Sequence, residues 1–163
     1  MAKRNYLVEG GSGTGKSSVC RELRRRGYQA VDGDNELAYQ GDPETGARTE
    51  GPGRHENHLW DVDRVRELAA DTTHEVTFFC GGSRNFPKFL SVFDQVLVLD
   101  VDTETLERRL ADRATDDWGG TDEQKQHILR LHATKEDLPP GTAIDTARPL
   151  TEVVDAILEA TNT

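Results

Sequence analysis

The chain alternates short apolar runs with longer segments whose apolar residues recur every three or four positions. Asn5-Tyr6-Leu7-Val8-Glu9 is the first compact run, and a short apolar run bounded by turn residues reads as a buried strand. A helix is expected over Lys16 to Arg26, stopped at Gly27, because glycine just past a helix end adopts the left-handed turn without strain. Tyr28 to Val31 predicts a second strand, followed by a short helix running through Tyr39. Residues 41–54 are rich in Gly, Pro, Thr and charge and read as a long loop, a length that in a compact domain marks either a functional or a disordered segment. His55 to Ala70 reads as one helix, because Leu59, Val62, Val65 and Leu68 fall at helical spacing.

The alternation continues beyond it. Glu75 to Cys80 predicts a third strand, and Pro87 to Phe93 a short helix with proline in its first turn. Gln95 to Leu99, the cleanest apolar run, predicts the fourth strand. Asp102 or Thr103 is placed to cap a helix that extends to about Ala111. A polar break over Arg113 to Thr121 precedes a helix over Asp122 to Thr134. A Pro139-Pro140-Gly141 loop, a short strand near Ala143 to Asp145 and a helix over Leu150 to Ala160 complete the chain. Repeated strand–helix units predict an α/β fold with a parallel sheet, helices on both faces and right-handed crossovers. Ligands of such sheets sit at the carboxyl ends of the strands, and the loops of interest here all follow strands.

Length and composition narrow the picture. The 163 residues suit a single domain spanning 1–163 with one core. No secretory h-region is seen, and no apolar run approaches the roughly 20 residues of a membrane span, so a cytoplasmic protein is expected. Cys20 and Cys80 form neither a disulfide framework nor a metal pattern and read as small buried residues. The net charge of −10 argues against nonspecific binding to nucleic acid or an anionic membrane. Fifteen arginines stand against five lysines, and arginine is the better bidentate partner for phosphate.

Residues 10–17, Gly-Gly-Ser-Gly-Thr-Gly-Lys-Ser, match G-x-x-x-x-G-K-[ST] and lie between the first predicted strand and the first predicted helix. That context is what a phosphate cradle requires. Gly10, Ser12, Gly13, Thr14, Gly15, Ser17 and Ser18 would surround phosphate oxygens with backbone N–H groups and the helix N-terminus. Lys16 would reach the β- and γ-phosphates, and Ser17 would ligate Mg²⁺.

Other candidates follow the later strands. Asp32-Gly33-Asp34 sets two carboxylates beside the cradle, Asp32 for the Mg²⁺ water shell and Asp34 as the base toward an acceptor hydroxyl. Cys80 stands where a Walker B aspartate would end the third strand. Gly81 and Gly82 allow close backbone approach to a ligand, and Arg84 could clamp an anionic group. Arg109 and Arg113 share a helix face and, with Trp118 in the following segment, suggest a short lid over about 113–122 that closes on a triphosphate. His55 and His58 lack a third metal ligand fixed by spacing, although His55 follows the long loop and so could border an acceptor. His74, His127 and His132 read as surface residues, and Trp60 as core.

These residues together resemble the small P-loop kinases that include shikimate, gluconate, adenylylsulfate and adenylate kinases. The carriers are Gly10 to Ser18, Asp32-Gly33-Asp34, Gly81-Gly82, Val96 to Leu110, Arg113 and Ile144-Asp145-Thr146-Ala147-Arg148-Pro149. The resemblance implies a three-layer P-loop NTPase fold with a five-stranded parallel sheet of order 2-3-1-4-5 and a lid after the fourth strand. It implies that the loop from Asp145 to Pro149, with Arg148, borders an adenine. Departures lie on the acceptor side: Glu36-Leu37-Ala38-Tyr39 and Trp60-Asp61-Val62-Asp63-Arg64 match no acceptor motif of these kinases. The expectation is therefore an ATP- and Mg²⁺-dependent kinase, monomeric or homodimeric. Its acceptor would be a small hydroxylated metabolite or a nucleoside or nucleotide, held by about residues 33–72. Arg54 and Arg64 beside Asp61 and Asp63 hint at a polyhydroxylated or nucleoside-like acceptor. A nucleotide-dependent switch acting through a protein partner is the alternative. A polynucleotide end kinase is disfavoured by the charge.

Overall fold

The computed structural model describes residues 2–113, 119–136 and 138–163. A parallel sheet of five strands forms its middle layer: β1 (Arg4–Gly10), β2 (Gln29–Asp32), β5 (Val76–Cys80), β6 (Gln95–Asp100) and β7 (Thr142–Asp145). The order across the sheet is β2-β5-β1-β6-β7, against the expected 2-3-1-4-5. Two further strands account for the difference. β3 (Ala38–Gln40) and β4 (His58–Trp60) form a separate antiparallel ribbon inside segments expected to be helix, and they shift the numbering of every later strand.

The alternation of side chains along each strand sends residues to two cores. Tyr6, Val8, Phe78, Cys80, Leu97 and Leu99 face α1 (Lys16–Arg25) and α6 (Leu150–Ala160), where they meet Val19, Cys20, Leu23, Val153, Val154 and Ile157. Leu7, Val31 and Phe79 face the opposite side and pack with Trp60, Val65 and Phe89. Strands covered on both faces are apolar in near-continuous runs, which is why 75–80 and 95–99 are so legible. A third, smaller cluster joins α4 (Thr103–Ala111) to α5 (Asp122–Thr134) through Leu106, Leu110 and Ile128.

Helix ends largely follow their signals. Gly27 lies at φ +95 behind α1. Asp102 accepts from the Thr105 N–H at 2.9 Å, and Thr121 with Gln124 forms a capping box on α5. The expected helix over His55 to Ala70 is corrected. A single 3₁₀ turn (His55–Asn57) leads into β4, and only α3 (Val62–Ala70) is helical. Asp61 accepts from the Arg64 N–H at 3.2 Å as its N-cap, and a capping aspartate there ends what precedes it. The short helix expected through Tyr39 is one turn, α2 (Gly33–Glu36), before β3. The expected helix at 87–93 is two 3₁₀ turns, Phe86–Lys88 and Leu90–Val92.

The β3–β4 ribbon is held to the sheet by Asn85. Its side chain accepts from the Trp60 N–H at 3.0 Å and donates to the Trp60 carbonyl at 2.9 Å, while the Arg84 N–H donates to the His58 carbonyl at 2.8 Å. The segment after β5 thus substitutes for a neighbouring strand. Trp60 is fully buried and stacked on Phe89, with ring centroids 5.6 Å apart. Removing a buried indole of this kind costs about 3–5 kcal/mol. Trp60→Ala is accordingly expected to lower the unfolding free energy in urea by about that amount. A loss below about 1 kcal/mol would show that the ribbon does not depend on the ring.

Candidate active site

The phosphate-type loop emerges from β1 and enters α1 through two left-handed glycines, Gly13 at φ +85 and Gly15 at φ +102. A side chain on Gly13 would also collide with Leu106, whose Cδ1 lies 2.7 Å from the position of a Cβ. The loop is braced internally: Thr14 donates to the Gly11 carbonyl from Oγ1 at 2.7 Å and from its N–H at 3.2 Å. The Lys16 ammonium donates to the Gly10 carbonyl. No side chain caps α1 at Gly15 and no acid lies in its first turn, so the N-terminal N–H groups and the positive end of the helix face the cavity.

That cavity, about 600 Å³, is lined by Gly11 to Val19, Asp34, Arg109, Arg113, Thr146, Arg148, Leu150 and Val153. Arg113 donates to the Ser12 hydroxyl at 2.9 Å. Arg109 donates to the Gly13 carbonyl at 3.0 Å and to Thr146 at 3.2 Å (Oγ1) and 2.6 Å (carbonyl). Leu150 and Val153 supply apolar wall to this cavity, and sequence reasoning named neither as a site residue. Of the expected lid, Arg113 and 119–122 belong to the structure; 114–118, with Trp118, lie outside the described residues.

A second cavity, about 390 Å³, adjoins the first and is lined by Glu9, Gly10, Gly11, Ser12, Lys16, Asp34, Gln40, Gly53, Arg54, His55, His58, Gly82 and Arg84. Lys16 and Asp34 border both. Arg54 stands at the rim, paired loosely with Glu56 at 3.7 Å. His127, expected at the surface, brings its ring to 5.5 Å from that of His55, so α5 closes on this rim. Asp61 and Asp63 border a different hollow and do not contribute here.

The glycine pair after β5 works differently from expectation. Gly82 borders the second cavity, but Gly81 borders neither. Both make room for side chains of the protein itself. A Cβ on Gly82 would sit 2.3 Å from Glu9 Oε1, and one on Gly81 would sit 2.9 Å from Trp60 and 3.0 Å from Asp34 Oδ1. Glu9, at the end of β1, is almost wholly buried and accepts from the Gly10 N–H at 2.9 Å. It was missed because a lone acid at a strand end carries no motif, although a charge closing an apolar strand is itself a signal.

The two aspartates separate. Asp34 receives Nε2 of His58 at 3.0 Å and a backbone hydrogen bond from Gly82. Asp32 accepts from Asn35 at 2.7 Å and borders neither cavity. Cys80, at the Walker B position, points into the core with Cys20, and both thiols are buried and free. Among the described residues no group of three or more His, Cys, Asp or Glu could hold a metal ion. The hydroxyl of Ser17 beside a phosphate cradle fits Mg²⁺, which is bound with few protein ligands alongside phosphate oxygens and water.

A loop of this shape on a parallel α/β sheet defines a nucleotide-binding P-loop protein. The chain belongs to the AAA domain family, whose pattern it matches over residues 7–130. No curated protein matches it. Solved structures share its fold. A sugar kinase from Janibacter sp. HTCC2649 is 22% identical, with 98% of this chain and 95% of that one covered and a TM-score of 0.60. Shikimate kinase from Acinetobacter baumannii, in complex with shikimate, is 17% identical over 98% and 93%, with a TM-score of 0.64. A gluconokinase from Sinorhizobium meliloti 1021 is 19% identical over 98% and 91%, with a TM-score of 0.56. Among the described residues no helix is long and apolar enough to cross a membrane.

Burial pushes the Asp34 carboxyl up, but the hydrogen bond from His58, the Lys16 ammonium and the Gly82 N–H outweigh it, and the net shift is downward from 3.8. The folded protein therefore holds Asp34 ionised to lower pH than the unfolded chain does. The resulting stabilisation is present above the ordinary value and is lost as pH falls through the folded one. An NMR titration of the Asp34 carboxyl carbon is expected to give a midpoint below 3.8, rising in Lys16→Ala. A midpoint above 3.8 would mean that burial dominates.

Proposed function

We propose that the protein is a kinase that uses ATP and Mg²⁺ to phosphorylate a hydroxyl of a small metabolite. The observation that carries this reading is the sharing of Lys16 and Asp34 by two adjoining cavities. One cavity has the loop and helix N-terminus of a phosphate site, and the other is of small-molecule size. A carboxylate and an ammonium at their junction stand where a hydroxyl would meet a γ-phosphoryl group. The shared fold with sugar, shikimate and gluconate kinases agrees with an acceptor of that size.

The residues divide the work. Gly10, Ser12, Gly13, Thr14, Gly15 and Ser18 with the α1 N-terminus cradle the phosphates, and Lys16 neutralises charge at the transferred group. Ser17 supplies the protein ligand to Mg²⁺, which when bound screens the phosphate charge. Asp32, which accepts from Asn35 within the α2 turn, would hold a water of the Mg²⁺ shell. Arg113, tied to Ser12, and Arg109 line the donor cavity where triphosphate charge gathers, and Arg148 with Leu150 borders its base end. Asp34 accepts the proton of the attacking hydroxyl, whose oxygen bonds to the γ-phosphorus as the bond to the β-bridging oxygen breaks. Arg54, Arg84 and Gly82 frame the acceptor. The low position of the Asp34 carboxyl suits a transfer in which the hydroxyl loses its proton late, as expected for a loose phosphoryl-transfer transition state. The acceptor region at about 33–72 and the lid at about 113–122 are the corresponding functional segments.

ADP release from ATP and Mg²⁺ across sugars, sugar acids, nucleosides and nucleoside monophosphates tests the reading. One acceptor class is expected to stimulate release strongly, and Lys16→Ala to reduce the stimulated rate at least about 100-fold with the melting temperature retained. Slow release that no acceptor stimulates would favour the partner-dependent switch. Asp34→Asn is expected to lower kcat by about 10² to 10⁴ with little change in ATP affinity. Equal losses in both would make Asp34 a binding residue.

A further inference from the structure

The floor of the second cavity contains a side chain that the reaction above does not use. His58 opens β4, and its backbone is held from both sides. It pairs with Gln40 of β3, and its carbonyl accepts from the Arg84 N–H at 2.8 Å. Two residues on, Asn85 grips Trp60 through both its N–H and its carbonyl. The imidazole thus projects from one of the better-fixed stretches of backbone in the molecule, and Nε2 reaches 3.0 Å from Asp34 Oδ1.

Asp34 itself stands on weaker footing. α2 is a single turn of four residues, Asp32 gives it no side-chain cap, and the Asp34 side chain is 43% exposed. A carboxylate on such a turn has several staggered side-chain conformations open to it. The imidazole and the Gly82 N–H select among them by direct hydrogen bonds. The other ionisable groups around the cavity are Lys16, Glu9, Arg54, His55 and Arg84, and of these Lys16 acts on Asp34 through its charge.

We infer that His58 is the positioning residue for Asp34: its Nε2–H donates to Oδ1 and holds the carboxylate toward the acceptor hydroxyl. The strand ribbon lends its rigidity to a base carried on a single helical turn, so the ribbon as well as α2 sets where the proton is received. Misplacement of a reacting group by about 1 Å can cost about 100-fold in rate, which is the scale of the effect assigned to His58. The inference rests on the reading of Asp34 as base.

Two measurements test it. In ¹⁵N spectra of the unmodified protein, Nε2 of His58 is expected to carry hydrogen; an Nε2 without hydrogen at neutral pH would overturn the assignment. In turnover assays with the acceptor that most stimulates ADP release, His58→Ala is expected to lower kcat about 100-fold with KM for ATP and acceptor nearly unchanged. His58→Gln, which keeps an N–H near the Nε2 position, is expected to recover most of that loss. Raised acceptor KM with unchanged kcat would make His58 a binding residue and overturn the proposal, as would a Gln variant no better than Ala at equal melting temperature. Retained turnover in Asp34→Asn would remove the base itself. An inactive Asp34→Asn beside a fully active His58→Ala would remove only the pairing.

Discussion

The burial of one indole organises the acceptor side of this protein. Trp60 presses against Gly33 and Gly81, so closely that a Cβ on either would come within 2.1 and 2.9 Å of its ring, and it stacks on Phe89. Each of these contacts is one or two residues from a group in the cavity floor: Gly33 from Asp34, Gly81 from Gly82, Trp60 from His58. Three segments distant in sequence are thereby brought to one place by shape as well as by the polar pairing of Asn85 and Arg84 with β4. Trp60 Nε1 is buried without a hydrogen-bond partner, a penalty of about 1–3 kcal/mol. The fold tolerates it because the apolar area and the stacked ring outweigh it.

The division into two cavities follows from the sheet. The loop after β1 opens toward the α1 side and forms the donor cavity, while the ends of β1 and β5 and the β3–β4 ribbon enclose the other. Two carboxylates, Glu9 and Asp34, crowd the glycines after β5. Like charges this close are unfavourable unless compensated, and Lys16 borders the same cavity as both. The lysine therefore has a structural role in this floor, its charge helping to hold Asp34 ionised.

Much of the fold was legible in the chain. The five sheet strands, α1, α5 and α6 all carry periods and end signals that local physics enforces, and the phosphate loop is a local motif by nature. The failures share a cause: they depend on partners far along the chain. Three residues of β4 sit in a run whose Leu59 and Val62 satisfy a helical period, and it is pairing with β3 on one side and with Arg84 and Asn85 on the other that makes them a strand. Asp32 and Asp34, two apart, would share one face of an extended strand. The chain turns into α2 at Gly33 and sends them apart. Glu9 was passed over as an isolated acid and His58 was weighed only as a metal ligand beside His55, since what gives them meaning is the glycine and the aspartate they meet in space.

One feature of the donor side reaches further than its own contacts. The Arg109 guanidinium bonds at once to the Gly13 carbonyl in the phosphate loop and to Thr146 beyond β7. Both segments line the same cavity, and a single planar group ties one to the other. The turn of the phosphate loop and the segment after β7 therefore move as one unit, because neither can shift without straining a hydrogen bond that the same guanidinium makes to the other.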